Sequence, residues 1–228
     1  MHLDSLSGLV TTPAAYCYPS KMNVLLSTTY FGPVQWYQKL YRADEAWIEQ
    51  HEHFIKQTYR SRCIIATTQG TQALSIPIEH PTFNVQCSTF NVQRIRDIRI
   101  SDHGNWRHLH WNALQSAYGE SPFFEYYEDD LRPFFEKRWT FLFDFNEAIR
   151  EKLCELLDIT PVVRFTEQYV SDRASDYREA INPKHPAPDP DFLPRRYYQV
   201  YEAKHGFLPN LSIVDLLFNM GPEAIFYL

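Results

Sequence analysis

Residues 49–62, EQHEHFIKQTYRSR, bring acid, imidazole, cation and aromatic side chains into one short stretch. Read as a strand, it puts Glu49, His51 and His53 on one face and Gln50, Glu52 and Phe54 on the other. Alternate residues on one face lie about 7 Å apart, near enough for two imidazoles to share a ligand or a metal ion. No third metal ligand stands at local spacing, so the sequence designates no metal site. A histidine also titrates near neutrality, which suits proton transfer and makes His53 a candidate general base. A solvated polar strand face would carry the same residues. Lys56, Arg60 and Arg62 follow; a guanidinium fork matches phosphate or carboxylate, and an exposed loop with ordinary charges gives the same pattern.

A second group is Asn105, Trp106 and His110. Trp106 and His110 are neighbours four residues apart on a helix. Trp106 then anchors a core with His110 satisfied beside it, or His110 faces the carboxyl edge of a sheet, where α/β folds hold ligands. In the second case His110 is a further catalytic candidate. No GxSxG, HExxH or Cys-His signature occurs. Asp129 and Asp130 are consecutive on a helix and diverge by about 100°, so they read as surface.

The elements that must position these residues alternate between the two periodicities. Residues 23–28, NVLLST, form an apolar first strand, and Gly32-Pro33 opens a helix over residues 33–43 on the spacing of Trp36, Leu40 and Ala43. The junction between them, residues 28–31, faces a helix N-terminus and favours anions. Residues 45–54 are a second strand, and residues 62–67 and 73–78 form an antiparallel hairpin turned at Gln69-Gly70. Residues 79–93 read as a loop and residues 95–100 as a half-buried strand. Helices follow over residues 105–118, after Ser121-Pro122, and from a capping box of Asp144 and Glu147. Residues 161–170 hold a strand at VVRF; residues 196–203 and 211–218 are apolar or aromatic runs, the former read as helical. The fold class is α/β, a mixed and partly parallel sheet from the N-terminal half packed by three or more helices.

Residues 1–22 read as an irregular arm, and residues 23–228 as a single domain. Residues 171–195 carry five prolines and no periodicity; a loop of this length is usually functional or disordered. The net charge of −6 argues against broad nucleic-acid binding, which needs a basic footprint. With 7 glycines and neither GxGxxG nor GxxxxGK[ST], the chain has no Gly-rich phosphate loop. Aromatics reach 16%, which fits core filling or a groove that stacks sugars or bases. Cys17, Cys63, Cys87 and Cys154 form no CxxC pair; they fit reduced thiols better than a disulfide framework. The opening MHLDSLSGLVTT predicts no secretory signal, and no apolar run is long enough to span a membrane. No pattern designates a cofactor or fixes an oligomeric state.

Together these segments resemble the WbqC-like family of bacterial surface-polysaccharide gene clusters, in the style of its Bacteroidetes-type members. The resemblance rests on TTYFGPVQWYQKLYRAD (28–44), HFIKQTYRSRC with the hairpin to LSIPI (53–78), IRISDHGNWRHLHWNALQSAYGESPFFEYY (98–127), LFDFNEAI (142–149) and LPNLSIVDLLFNMGPEA (208–224). Members typically open the first loop with His-Gln-Pro-Asn-Tyr, where this chain reads Ser27-Thr28-Thr29-Tyr30. They carry Asp-Asp in the second strand, where it reads Gln50-His51. The matching residues include Tyr30, Gly32, Phe54, Lys56, Arg62, Trp106, His110, Tyr118 and Pro122. The resemblance implies a cytoplasmic transferase moving an acyl or aminoacyl group onto an activated sugar. His53 or His110 would be the base. Lys56, Arg60 and Arg62 would hold phosphate or carboxylate. Tyr30, Asn105, Trp106 and Tyr118 would line the substrate, and residues 171–195 would form a lid. A non-catalytic binding or scaffold protein of the same pathway is the alternative, and a metal-dependent hydrolase using His51 and His53 is a third.

Overall fold

The computed structural model describes residues 22–79, 93–171, 175–184 and 186–228. Residues 1–21 of the arm, residues 80–92 of the loop and residues 172–174 and 185 of the proline-rich stretch, with Cys17 and Cys87, lie outside them. Strand β1 (Asn23–Ser27) is apolar and almost wholly buried, as a strand covered on both faces must be. It leads through a tight loop into α1 (Val34–Arg42) and then β2 (Glu45–Glu49), which pairs parallel with β1. The loop depends on Gly32, because a Cβ there would sit 2.3 Å from Thr29 Oγ1. Strands β3 (Arg62–Thr67) and β4 (Gly70–Ser75) form the antiparallel hairpin, with Thr67 opposite Gly70 at its tip. The second hairpin strand thus begins earlier than residue 73 and ends before Ile78.

Helix α2 (Trp106–Tyr118) packs on β3. Helices α3 (Phe124–Leu131), α4 (Pro133–Glu136) and α5 (Leu142–Leu156) follow, and β5 (Val163–Phe165) returns parallel to β2. The sheet order is therefore β1-β2-β5. Residues 175–177 extend it past β1: Leu25 N donates to Ser175 O at 2.9 Å and Tyr177 N to Leu25 O at 3.0 Å. The chain closes with the short α6 (Glu202–His205), α7 (Ile213–Met220) and a 3-10 segment, Gly221–Tyr227. The structure is the mixed α/β arrangement expected, with its parallel sheet from the N-terminal half.

Local readings differ in further places. Helix α3 starts at Phe124, and Ser121 Oγ donates to Tyr118 O instead of capping it. Strand β2 stops at Glu49 rather than Phe54, because β5 ends at Phe165 and leaves no strand to pair with. Residues 95–100 form a 3-10 turn (Ile95–Asp97) and isolated bridges, not a strand. Helix α5 starts at Leu142, and Glu147 bonds Thr28 and Arg150 instead of capping a backbone N–H. Residues 196–201 are not helical; Tyr197 and Gln199 are drawn inward to Asp215 instead.

The aromatic content goes largely into the core. Tyr30, Phe31, Trp36, Tyr37, Tyr118, Phe145 and Phe218 are fully buried and meet in stacked, edge-on and tilted pairs. Cys63 and Cys154 are free, buried thiols, and burial pushes the Cys154 thiol up to about 11. No helix among the described residues is long and apolar enough to cross a membrane.

Candidate functional site

At the carboxyl ends of the parallel strands lies a cavity of about 590 Å³. Open α/β sheets place ligands at this end because the strands stop there and the loops diverge. His51, Glu52, His53, Arg60, Asp176 and Arg178 contribute to its lining, with Arg94, Tyr169 and Ser171 at further positions. Glu49, fully buried, turns the chain into it: its carboxylate accepts from His51 N (2.8 Å), Thr166 Oγ1 (2.8 Å) and Val170 N (2.9 Å).

Two guanidinium–carboxylate pairs lie in this wall, the first buried and the second partly so. Arg60 Nε and Nη2 grip Glu52 at 2.8 and 2.5 Å, and Nη2 also reaches Ser27 Oγ at 2.8 Å. Arg178 binds Asp176 through Nε at 3.0 Å and Nη2 at 2.6 Å, and donates to Val170 O at 2.9 Å. Bidentate pairs of this kind fix side-chain direction as well as neutralising charge. Arg178 also stands 5.3 Å from the centre of the half-exposed Tyr169 ring. His51 donates through Nε2 to Thr166 O at 3.1 Å, since a carbonyl only accepts, and its buried Nδ1 has no partner among the described residues. His53 is exposed, and its backbone bridges Arg94. Among the described residues no group of three or more His, Cys, Asp or Glu could hold a metal ion.

The residues singled out from the sequence fall into separate places. His53 and Arg60 line this cavity. Lys56 and Arg62 line a neighbouring one, together with Phe54, Ser75, Pro77 and His103. Tyr30, Trp106, His110 and Tyr118 are all buried in the core. Tyr30 Oη lies 2.9 Å from His110 Nδ1, and Tyr118 donates to Asp215 Oδ1 at 2.8 Å. Burial pulls the His110 pKa down to about 4, partly offset by a hydrogen bond to the Ser75 backbone, so its ring is neutral at pH 7. Asn105 is exposed, in a left-handed conformation just before α2. The N-terminus of α1, expected to favour an anion, is already met by protein: Leu211 O accepts from Val34 N and Asn210 Oδ1 from Gln35 N, both at 2.9 Å.

Glu52, Arg94, Tyr169, Asp176 and Arg178 were not singled out as site residues. Asp176 and Arg178 come from residues 171–195, whose length and proline content were the only signal, and Tyr169 from the segment just before it.

The WbqC-like protein family matches the chain over residues 28–185. The chain belongs to that family. It is also 28% identical to the uncharacterized protein Rv1507c of Mycobacterium tuberculosis, in an alignment covering 81% of this chain and 87% of that one. No solved structure matches it significantly.

Proposed function

We propose that the protein is a cytoplasmic transferase of bacterial surface-polysaccharide assembly, binding an activated sugar in the sheet-end cavity. The observation that supports this most is His53, an exposed imidazole on a roomy cavity at the carboxyl ends of parallel strands. Around it are hydrogen-bonding groups of both kinds. Glu179, exposed in the lining, accepts, Arg94 donates, and Ser171 can do either, which suits the hydroxyls of a sugar ring. The Tyr169 ring offers an apolar face for the sugar's C–H side.

In this reading His53 takes the proton from a sugar hydroxyl or amine as that group attacks an activated acyl or aminoacyl carbonyl. The bond from the carbonyl to its leaving group then breaks, and the leaving group departs with the electron pair. Tyr30, Trp106, His110 and Tyr118 act as packed support; Tyr30 N–H bonds the carbonyl of Tyr59, the residue before Arg60. Residues 171–195 contribute a fixed side of the sugar site, since residues 175–177 are bonded to Leu25 and Arg178 is buried. Non-catalytic binding in the same pathway is the second reading, favoured by the commitment of both Arg60 and Arg178 to internal acids.

The test is a calorimetric and thermal-shift screen with nucleotide sugars, followed by turnover. A true ligand at 100 times its Kd stabilises the fold by about 2.7 kcal/mol. His53→Ala is expected to keep binding and to lose turnover by about a hundredfold or more. Wild-type turnover in that variant, or a flat screen, overturns the transferase reading. Binding with no turnover by the wild-type protein turns it into the second one.

A further inference from the structure

The cavity behind the sheet-end site has a different chemistry. Its volume is about 540 Å³, and its wall combines Phe54, Ile76 and Pro77 with Lys56, Arg62 and His103. The two cavities share the segment of residues 53–57. Phe54 N donates to Gln93 O at 3.0 Å and Ile95 N to Glu52 O at 2.9 Å, which holds the start of this segment extended. Successive side chains of extended backbone point to opposite sides. His53 and Ile55 accordingly line the sheet-end cavity, and Phe54 and Lys56 line the other.

Charge in this second cavity is uncommitted. Arg62 Nε is fixed by Ser75 Oγ at 2.9 Å, leaving its two terminal nitrogens with no hydrogen-bond or ion-pair partner among the described residues. The same holds for Lys56 Nζ and the exposed His103 ring. Glu79, the one carboxylate in the lining among the described residues, is already paired with Arg99 at 3.2 Å. A guanidinium steadied at Nε presents its outer edge as a ready fork for a phosphate or carboxylate. The apolar residues beside it give such an anion's carbon chain somewhere to lie.

We propose that this cavity is a second ligand site, taking an anionic head group, phosphate or carboxylate, carried on an aliphatic chain. Residues 53–57 separate its occupant from the sugar and from His53, so the occupant is not the acyl group that is attacked, and the site stands or falls independently of the transferase reading. Lys56 and Arg62 hold the head group, and Phe54, Ile76 and Pro77 cover the chain.

The test uses hexyl phosphate and heptanoate as probes, with inorganic phosphate and hexanol as half-ligands, by calorimetry on the full chain. Expected is binding of hexyl phosphate, heptanoate or both, about tenfold or more tighter than either half-ligand. Lys56→Ala and Arg62→Gln each weaken it about tenfold, whereas His53→Ala leaves it unchanged. The tighter of the two probes identifies the head group. Equal affinity for the half-ligands overturns the proposal, as does indifference to both cation substitutions or displacement of the probe by a nucleotide sugar. Arg62→Gln can disturb the hairpin, so Lys56→Ala, at an exposed position, carries the result if that variant folds poorly. A failed nucleotide-sugar screen with intact probe binding rejects the transferase reading and leaves this site standing. The reverse result rejects this site alone.

Discussion

Two cavities share one wall and treat charge in opposite ways. In the sheet-end cavity Arg60 and Arg178 are buried and each is clasped by a carboxylate, Glu52 and Asp176. In the cavity behind it, Lys56 and the outer edge of Arg62 meet no acid among the described residues. A guanidinium taken out of water needs a partner built into the protein, since desolvation costs several kcal/mol per ion. A cation at the surface keeps its hydration and can exchange water for a ligand's anion. The first arrangement builds a rigid wall of fixed direction, and the second leaves binding capacity free.

The contrast is broken most directly at Arg60. Arg60→Ala strands the Glu52 carboxylate and is expected to destabilise the fold by about 3–5 kcal/mol, read from urea denaturation. The double variant Glu52→Leu, Arg60→Met should recover part of that loss, because it removes both charges. A single-variant cost below about 1 kcal/mol, the range of surface pairs, would show that the pair is not built into the wall as described.

His110 sharpens the comparison, as a titratable group withdrawn from both cavities. Its folded pKa is depressed to about 4 by burial, below the ordinary 6.5. The unfolded chain therefore takes up the proton first, and stability is lost as pH falls from about 6.5 towards about 4. The loss attributable to this group is up to about 3 kcal/mol. His110→Gln should flatten that part of the profile in urea midpoints measured across the range. An unchanged slope would place the imidazole in contact with water.

The smallest effect is expected in the second cavity. Lys56→Ala should change folding stability by no more than about 0.5 kcal/mol in the same denaturation assay. Anion binding there should weaken as salt rises from low to physiological levels, since the Debye length shrinks to about 8 Å. A stability cost like that of Arg60 would erase the difference between the two walls.

The first unit, β1-α1-β2, was legible because each step has a local cause: an apolar run, a Gly32-Pro33 break, then helical spacing of Trp36 and Leu40. Gly32 itself is explained by its closeness to Thr29. The alternation through His51 and His53 misled about strand length. Period two describes side chains, whereas a strand also needs a continuous neighbour; the parallel sheet offers none past Glu49, and residues 52–54 meet only an isolated antiparallel bridge at residues 93–95. Ile98 and Ile100 alternated in the same way, and residues 95–100 ended in a 3-10 turn and isolated bridges. For the site, Arg60 and His53 were legible as chemistry, and their separation from Lys56 and Arg62 was not. That division depends on which side of residues 53–57 each side chain leaves. Asp176 and Arg178 were invisible because their place beside Leu25 and Glu49 comes from pairing across most of the chain.

That pairing also bears on how the protein comes to be made. Leu25 bonds Ser175 and Tyr177, and Ala46 faces Val163 across the sheet. The outer partners of the first two strands are therefore among the later parts to leave the ribosome. Loop closure over such sequence distances slows folding and leaves strand edges bare in the meantime. The nascent chain can assemble β1, α1 and β2 early, but its sheet is completed only after residue 177 emerges. Truncations short of that point would be expected to gather on chaperones as incomplete sheets.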